Sequence, residues 1–129
     1  MKLCQSPLCT FCNADVESLS HLFWDCQIVF RFMQSFKQYC EQVSIDFELD
    51  KRKFLLGPYL QKINANDLVL LHLKFYIYRC RCLQHDLSLI HFLSYLKYIY
   101  ALQREKLKRG GKKNIFNEIW QEWRNILAN

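Results

Sequence analysis

The sequence predicts a mainly α-helical fold, in which an N-terminal Cys₃His zinc knot precedes about four helices around an aromatic core. The chain of 129 residues contains only three glycines and two prolines, which favours helices over a sheet with many turns. Ten Phe, seven Tyr and three Trp supply apolar volume for one core. We expect residues 1–26 to form the zinc-binding knot and residues 27–129 to form the helical remainder of the same single domain.

The first predicted helix extends from about residue 18 to Val43. Ser18 can cap its N-terminus, because a serine hydroxyl accepts a hydrogen bond from a backbone amide of the first turn. Apolar residues then recur at steps of three or four and predict one buried face, with Cys40 close to it in the core. The residues of this face are Ile28, Phe32, Phe36, Tyr39 and Val43.

The segment after this helix has a different pattern. In residues 44–50, apolar Ile45, Phe47 and Leu49 alternate with acidic residues. A period of two is typical of half-buried extended chain. The sequence therefore allows one or two short extended segments within residues 44–56, ended by Gly57-Pro58, although no partner strands for a sheet can be identified.

Three further helices are predicted. The second begins with Asn66 or Asp67 as its cap and ends at about Leu83, and the third covers residues 88–109. Gly110-Gly111 ends the third helix, because glycine commonly follows a helix C-terminus. The expected buried residues are Leu68, Leu71, Phe75, Tyr78 and Cys82 in the second helix, Leu89, Phe92, Leu93, Leu96, Ile99 and Tyr100 in the third, and Ile115, Phe116, Ile119, Trp120, Trp123, Ile126 and Leu127 in the last.

Four ligand-type side chains have the spacing Cys9-x2-Cys12-x8-His21-x4-Cys26. A Cys-x2-Cys turn places two sulfurs on one ion, and the other pair, at the start of the first helix, can complete a tetrahedron. Three thiolates and one imidazole are a common Zn²⁺ set that leaves no open position for water. The sequence therefore predicts one structural Zn²⁺. The alternative, small buried side chains without a metal, leaves the spacing unexplained.

Seven cysteines are an odd number, and no apolar signal segment follows Met1. A disulfide framework is therefore disfavoured, and we expect an intracellular protein of the nucleus or cytoplasm. The longest apolar run, residues 68–78, is too short to span a bilayer, so no membrane partner is expected. His72 within this run is expected to be a core or boundary histidine, and Cys4 is expected to stay outside the metal site.

The run SPLCTFCNADVESLSHLFWDC, residues 6–26, resembles the C-terminal zinc-binding segment of reverse transcriptases from non-long-terminal-repeat (LINE-type) retrotransposons. In that family, Cys-x2-Cys leads to an acidic stretch, then to His-Leu-Phe-Trp and a final Cys. The run LKFYIYRCRC and the Trp-bearing tail resemble the family more loosely. The resemblance implies a module downstream of the polymerase that helps to engage template RNA or target DNA. The residues that match the motif are Cys9, Cys12, His21, Leu22, Phe23, Trp24 and Cys26.

Charge is distributed unevenly along the chain. Residues 1–50 contain three basic and seven acidic residues, whereas residues 51–129 contain fifteen basic and five acidic residues. The second part therefore favours a polyanion partner, RNA or DNA, bound non-specifically and with strong salt dependence. The knot is acidic, so Phe23 and Trp24 are expected to cover it as an apolar lid rather than to contact bases.

The predicted phosphate contacts form two groups. The first is the basic segment, residues 104–113, and the second is a shorter run at residues 51–53. An alternative is that the first group only complements the dipole at a helix C-terminus, which leaves much of its charge unexplained. The predicted contact residues are Arg104, Lys106, Lys108, Arg109, Lys112 and Lys113, with Lys51, Arg52 and Lys53.

No catalytic activity is expected. The sequence has neither a paired-aspartate polymerase motif nor an endonuclease constellation, and a closed Cys₃His set argues against a hydrolytic zinc enzyme. The alternative function is a zinc-stabilised protein-docking module without nucleic-acid contact. In that case Trp120 and Trp123, if exposed on the last helix, would bind a partner such as the polymerase body of the parent protein.

A second metal site from Cys80 and Cys82 with His85 or His91 is conceivable. Residues two apart on a helix point to different sides, however, so both sulfurs cannot easily bind one ion. We therefore expect the two cysteines to be buried thiols.

Overall fold

The computed structural model describes residues 8–14, 16–18, 20–56 and 65–127, and this part of the chain is mainly α-helical, as predicted. One antiparallel bridge joins Leu8 and Val16. No helix within the described ranges is long and apolar enough to cross a lipid bilayer. A π-helical turn, His21–Asp25, is followed by helices α1 (Gln27–Gln42), α2 (Lys51–Leu56), α3 (Ala65–Leu83), α4 (Leu89–Arg109), α5 (Lys113–Ile119) and α6 (Arg124–Leu127).

Phe36 of α1 lies at the centre of a large aromatic cluster. Its ring centroid is 5.1 Å from that of Phe47 and 5.1 Å from that of Phe92, both in edge-to-face geometry. Trp123 stacks on the same ring at 6.2 Å. Such aromatic pairs each add about 0.5–1.5 kcal/mol beyond their buried area. Phe36 therefore joins α1, α4, the segment after α1 and the C-terminal segment.

Three helices end in the same hydrogen-bonded motif, with one residue in the left-handed region. These residues are Ser44 after α1 (φ 62°), Gln84 after α3 (φ 56°) and Gly111 after α4 (φ 71°). After α4, the amide of Lys112 donates to the carbonyl of Leu107 at 2.7 Å, which is the outer bond of a Schellman motif. The prediction that the glycine pair ends this helix is confirmed.

The alternating segment after α1 is partly as predicted. Ile45 and Phe47 are buried, whereas the acidic residues beside them are exposed. Residues 45–50 form neither helix nor strand, and residues 51–56 are helical rather than extended. The helix α2 forms because Phe54 packs inward while Lys51 and Arg52 face solvent. Gly57-Pro58 lies outside the described residues.

The buried faces of α1 and α3 differ from the predicted ones. In α1, Phe32, Phe36 and Cys40 are buried as expected, but Ile28 is 38% exposed. In α3, the predicted residues Leu71 and Phe75 are largely exposed. Since α3 is apolar on most of its circumference, periodicity alone does not select the face that α2 and α4 cover. The face that is buried consists of Val69, Leu70, Leu73, Ile77 and Cys80.

The helix α4 buries the predicted face, with Phe92, Leu96 and Tyr100 inside the core. Ser88 precedes the helix, and its hydroxyl accepts a hydrogen bond from the amide of His91. His72 of α3 is half-buried and contacts the hydroxyl of Tyr95 through Nδ1 at 3.1 Å, so it is a boundary histidine as expected.

The prediction of a single closing helix is wrong, because a turn over residues 120–123 separates α5 from α6. Both tryptophans are fully buried. The indole of Trp120 donates to Gln103 at 3.0 Å, and that of Trp123 donates to Asn66 at 3.1 Å. The turn forms because it directs each indole to its own partner, whereas a straight helix would place both on one face. Both tryptophans are therefore core residues and offer no exposed docking surface.

The two glycines after α4 make a matched test of the left-handed cap. We expect Gly111→Ala to lower the free energy of unfolding by about 1 kcal/mol, since a side chain is strained at positive φ. Gly110 has φ −82°, and an added Cβ would meet its nearest atom at an ordinary 3.6 Å. Gly110→Ala should therefore be neutral or slightly stabilising. Urea unfolding of both variants measures the difference, and equal effects would contradict the motif.

Candidate metal centre

The first two ligand-type residues lie in a tight turn. The antiparallel bridge between Leu8 and Val16 closes the loop that contains them. Inside it, the amide of Asn13 donates to the carbonyl of Cys9 at 2.9 Å, and Asn13 adopts φ 54°. Asparagine tolerates this left-handed conformation better than most residues. The turn thereby places Cys9 and Cys12 on one side of the loop.

The second pair is brought together by the π-helical turn. The amide of Cys26 donates to the carbonyl of His21 at 2.8 Å, a bond across five residues. In an α-helix, residues five apart would be rotated by about 140° and face different sides. The wider turn brings both side chains to the same ion position, a feature that sequence analysis missed although the spacing His-x4-Cys indicates it. The hydroxyl of Ser18 accepts from the amide of His21 at 3.0 Å, so Ser18 caps the π-helical turn. The prediction of one continuous helix from about residue 18 to Val43 is wrong, because the extended backbone of Cys26 separates this turn from α1, which begins at Gln27.

All four predicted ligands meet in one group whose ligand atoms lie within 4.8 Å of one another. The sulfurs of Cys9 and Cys26 are 3.8 Å apart, and the sulfur of Cys12 is 3.3 Å from Nε2 of His21. A tetrahedron with Zn–S of about 2.3 Å and Zn–N of about 2.0 Å requires separations of about 3.8 and 3.5 Å. The group is therefore preformed for one metal ion.

Burial shapes the chemistry of this group. Burial raises the pKa of Cys26 to about 11, although the amides of Ile28 and Val29 point at its sulfur and oppose the rise. Without a cation, this thiol keeps its proton at neutral pH. A divalent ion among the four ligands reverses that preference, because thiolate is the form that binds metal. The donor set of three sulfurs and one imidazole nitrogen fits Zn²⁺.

A buried ion pair joins the knot to the helices. Glu17 accepts hydrogen bonds from two nitrogens of the Arg81 guanidinium, one of them Nε at 2.7 Å, and its other oxygen accepts from the amide of Thr10 at 3.4 Å. Burial alone would raise the pKa of Glu17, but these hydrogen bonds and the charge of Arg81 together lower it. Sequence analysis missed this pair. Its signal in the sequence is limited to an arginine in the last turn of a largely apolar helix.

The aromatic residues of the π-helical turn cover the knot from the side of α2. Phe23 is buried with its ring edge on Phe54, and Trp24 contacts the same ring at 6.1 Å. The ammonium of Lys74 lies 5.5 Å above the Phe23 ring. Both rings therefore pack against α2 of the same chain, and their role as a lid over the metal group stays a prediction. Cys4 lies outside the described residues.

The predicted phosphate contacts lie in two separate regions of the fold. The six basic residues of the basic segment, at the end of α4, the glycine turn and the start of α5, are all exposed. Among them, Arg109 pairs with Glu105 at 3.7 Å. The shorter run lies in α2, where Lys51 pairs with Asp25 at 3.4 Å and Arg52 is exposed. The side chain of Lys53 lies outside the described atoms.

The described residues form no second group of three or more metal-binding side chains. Cys80 is buried as expected, with its sulfur 4.0 Å from the carbonyl oxygen of Asp86. Cys82 is exposed, so the prediction that it is buried is wrong. The reason is the position of the buried face of α3, which includes residue 80 and not residue 82.

No model of a known protein family matches this chain, and no curated protein or solved structure matches it either. It is a small, mainly helical fold with a Cys₃His group near its N-terminus that is able to hold one metal ion.

Metal content provides the first test of this group. We expect native mass spectrometry to find one zinc per chain in the parent and none in Cys9→Ser. The reason is that a tetrahedral site loses most of its zinc affinity when one thiolate ligand is removed. The matched control is Cys82→Ser, an exposed cysteine outside the group, which should retain one zinc. A folded parent that binds no metal, or a Cys9→Ser variant that still binds one, would contradict the assignment.

The ion pair between knot and helices predicts a stability effect independent of the metal ligands. We expect Glu17→Gln to lower the free energy of unfolding by about 2–3 kcal/mol, since it removes the carboxylate charge that pairs with the buried Arg81 guanidinium. Urea unfolding of the zinc-loaded protein measures the change, and exposed Glu48→Gln is the control. In the double variant with Arg81→Met, part of the loss should be recovered. A loss no larger than that of the control would show that the pair does not hold the knot.

Proposed function

We propose that this chain is a non-catalytic, zinc-stabilised module that binds nucleic acid through the basic segment. The observation that carries the proposal is the set of six exposed cations within ten residues, interrupted by a single acid. Phosphate contacts from such side chains supply most of the affinity of non-specific nucleic-acid binding. RNA or DNA is therefore the proposed ligand, with no base sequence preferred by this segment.

The shape of the basic segment supports this proposal. The Schellman motif after α4 already satisfies helix carbonyls with backbone amides from Gly111 and Lys112. The cationic side chains there are therefore not needed as caps, and they extend from a turn with fixed geometry. Lys106 and Arg109 lie before the turn and Lys113 after it, so the charge lies on both sides of a bend. A phosphate chain that crosses this bend can be contacted from two directions.

The metal group is proposed to bind Zn²⁺ as a structural ion. Four protein ligands complete its coordination, so no position remains at which water could be activated. The four residues would fix the loop that contains Cys9 to the start of α1. The acids around them, Glu17 and Asp25, are paired with Arg81 and Lys51 inside the same chain. The knot is therefore proposed to be a scaffold rather than a contact surface.

The order and spacing of the ligands support a place for this chain in the LINE-type reverse transcriptases that residues 6–26 resemble. In that case the module would lie beyond the polymerase and help it to engage template RNA or target DNA. The alternative, a protein-docking module, loses its proposed anchor, because Trp120 and Trp123 are buried. Nucleic-acid binding is therefore the function that the exposed surface favours.

Salt dependence tests the proposal directly. For single-stranded RNA we expect the logarithm of affinity to fall with the logarithm of salt concentration with a slope of about −3 to −4, as for four to six phosphate contacts. The triple variant Lys108→Gln, Arg109→Gln, Lys112→Gln should reduce this slope by about 2 and weaken binding about 30–100-fold at 0.1 M salt. Fluorescence anisotropy across salt concentrations measures both quantities.

The control for this experiment removes the same charge elsewhere. Arg31→Gln, Lys37→Gln, Arg124→Gln also lowers the net charge by three but leaves the basic segment intact. It should change affinity less than about threefold, in keeping with the weak effect of distant charges at this ionic strength. Equal losses of RNA affinity in both triple variants would show that binding depends only on net charge and would contradict the role of the basic segment. A parent that binds no RNA at any salt concentration would overturn the proposal.

A further inference from the structure

A cleft between α3 and α4 has no role in the function proposed above. It has a volume of about 230 Å³, which is below the range of about 300–1,000 Å³ typical of sites for drug-sized ligands. Its walls combine flat aromatic rings with charged and imidazole side chains. The lining residues include Phe75, Tyr76, Arg79, Asp86 and Tyr95.

The walls of the cleft are held in place by hydrogen bonds. The hydroxyl of Tyr95 contacts His72 at 3.1 Å, which fixes the tyrosine ring. The hydroxyl of Tyr76 accepts from the amide of Ser88 at 3.1 Å and lies 3.2 Å from the carbonyl of the same residue. These bonds tie the loop after α3 to its own helix. The cleft is therefore formed before any ligand enters, which lowers the entropic cost of binding.

An aromatic surface is exposed at this cleft. Phe75 leaves half of its side chain in solvent, although it lies in the middle of α3. Its ring is nearly parallel to that of Tyr95, with an interplanar angle of 26° and centroids 6.4 Å apart. Flat rings of this kind stack on nucleobases of any sequence, because every base has a π-face. A planar aromatic ligand is the occupant that this surface fits.

The charged residues of the cleft define the rest of that ligand. Arg79 is exposed and lines the same cleft as Phe75 and Tyr95. A guanidinium binds phosphate with paired hydrogen bonds. Asp86 adds a carboxylate, which accepts hydrogen bonds from the amino groups of base edges. A planar ring with amino groups and a phosphate is a nucleotide.

The exposed face of α4 connects the cleft to the basic segment. At 100° per residue, Leu102, Lys106 and Arg109 all lie within about 40° of the direction of Tyr95. Lys106 and Arg109 are about 16–21 Å farther along the helix, at 1.5 Å per residue. A single strand with stacked bases, at about 3.4 Å per nucleotide, covers this distance with five or six nucleotides. Leu102 between them is half exposed.

We propose that the cleft between α3 and α4 binds one unpaired nucleobase of a single-stranded nucleic acid, with Phe75 and Tyr95 against the base and Arg79 at its phosphate. The strand then follows α4 to the basic segment. This inference rests on the proposed nucleic-acid function and adds a preference for single strands over duplex, because a paired base is not available for stacking.

A mononucleotide titration tests the cleft without the basic segment. In the zinc-loaded full chain, adenosine 5′-monophosphate at millimolar concentration should shift the aromatic NMR signals of Phe75 and Tyr95. Ribose 5-phosphate, which has no base, should not shift them. An absence of shifts with the mononucleotide would overturn the proposal, as would equal shifts with phenyl phosphate, which would show a cleft for any aromatic anion.

Strand binding tests the same cleft in its proposed context. Phe75→Ala should weaken binding of a twelve-nucleotide single-stranded RNA by about 5–100-fold, the range for one stacked base, and leave an abasic strand of equal length unaffected. Leu71→Ala, one turn earlier and also exposed, is the control and should change neither affinity. Arg79→Gln should weaken the binding of both strands and reduce the salt slope by about 0.7.

The two proposals fail in different ways. If the RNA affinity depends on the basic segment but Phe75→Ala changes nothing, the cleft proposal is wrong and the proposed function stands. If the parent binds no RNA at any salt, the proposed function is wrong, and the mononucleotide titration still decides whether the cleft accepts a nucleotide. A loss of abasic-strand binding in Phe75→Ala would indicate a folding defect at this site and overturn the stacking role.

Discussion

Cys26 couples the candidate metal centre to the helical core. It is a member of the ligand group, with its sulfur 3.8 Å from that of Cys9, and it is also the residue immediately before α1. Its carbonyl accepts the first α-helical hydrogen bond, from the amide of Phe30 at 2.8 Å. An ion bound by this group would therefore fix the origin of α1, and Phe36, in the third turn of that helix, organises the aromatic cluster. An unsatisfied ligand group would leave the start of α1 without a fixed position.

The C-terminal part of the fold is also joined to the core, in this case through the side-chain amide of Asn66. The Asn66 amide accepts from the indole of Trp123 and donates to the carbonyl of Asp46 at 2.9 Å. One side chain at the start of α3 thus joins the segment after α1 to the turn before α6. The bond to Trp123 satisfies an indole N–H that would otherwise cost about 1–3 kcal/mol in the core, whereas the bond to Asp46 is exposed. The stacking of Trp123 on Phe36 depends on this anchoring.

Features encoded by short motifs were predictable from the sequence, whereas the choice of which apolar helix face is buried was not. The four ligands, the Ser18 cap and the glycine stop after α4 each follow from a short motif with one physical solution. The buried face of α3 does not, because Leu71 and Leu73 are equally apolar and only the positions of α2 and α4 decide between them. The turn between α5 and α6 was missed for a related reason. Trp120 and Trp123 need separate polar partners, Gln103 and Asn66, which are distant in sequence.

The charges of the knot and of α4 have different uses in the same fold. In the knot, the carboxylates of Glu17 and Asp25 form ion pairs with Arg81 and Lys51. These acidic residues therefore attach the knot to α3 and α2. At the end of α4, cations outnumber the acids that could pair with them. A polyanion near the molecule is therefore attracted to the end of α4, and no comparable excess of positive charge surrounds the metal group.

It follows that the metal would contribute to binding only through structure. The ion would order the start of α1, α1 would support the packing of Phe92 on Phe36, and that packing would hold the α4 helix that presents both the cleft and the basic segment. Removal of the ion should then lower nucleic-acid affinity in proportion to the loss of helical structure. The salt slope of the molecules that remain folded should stay unchanged, because the proposed phosphate contacts all lie outside the knot.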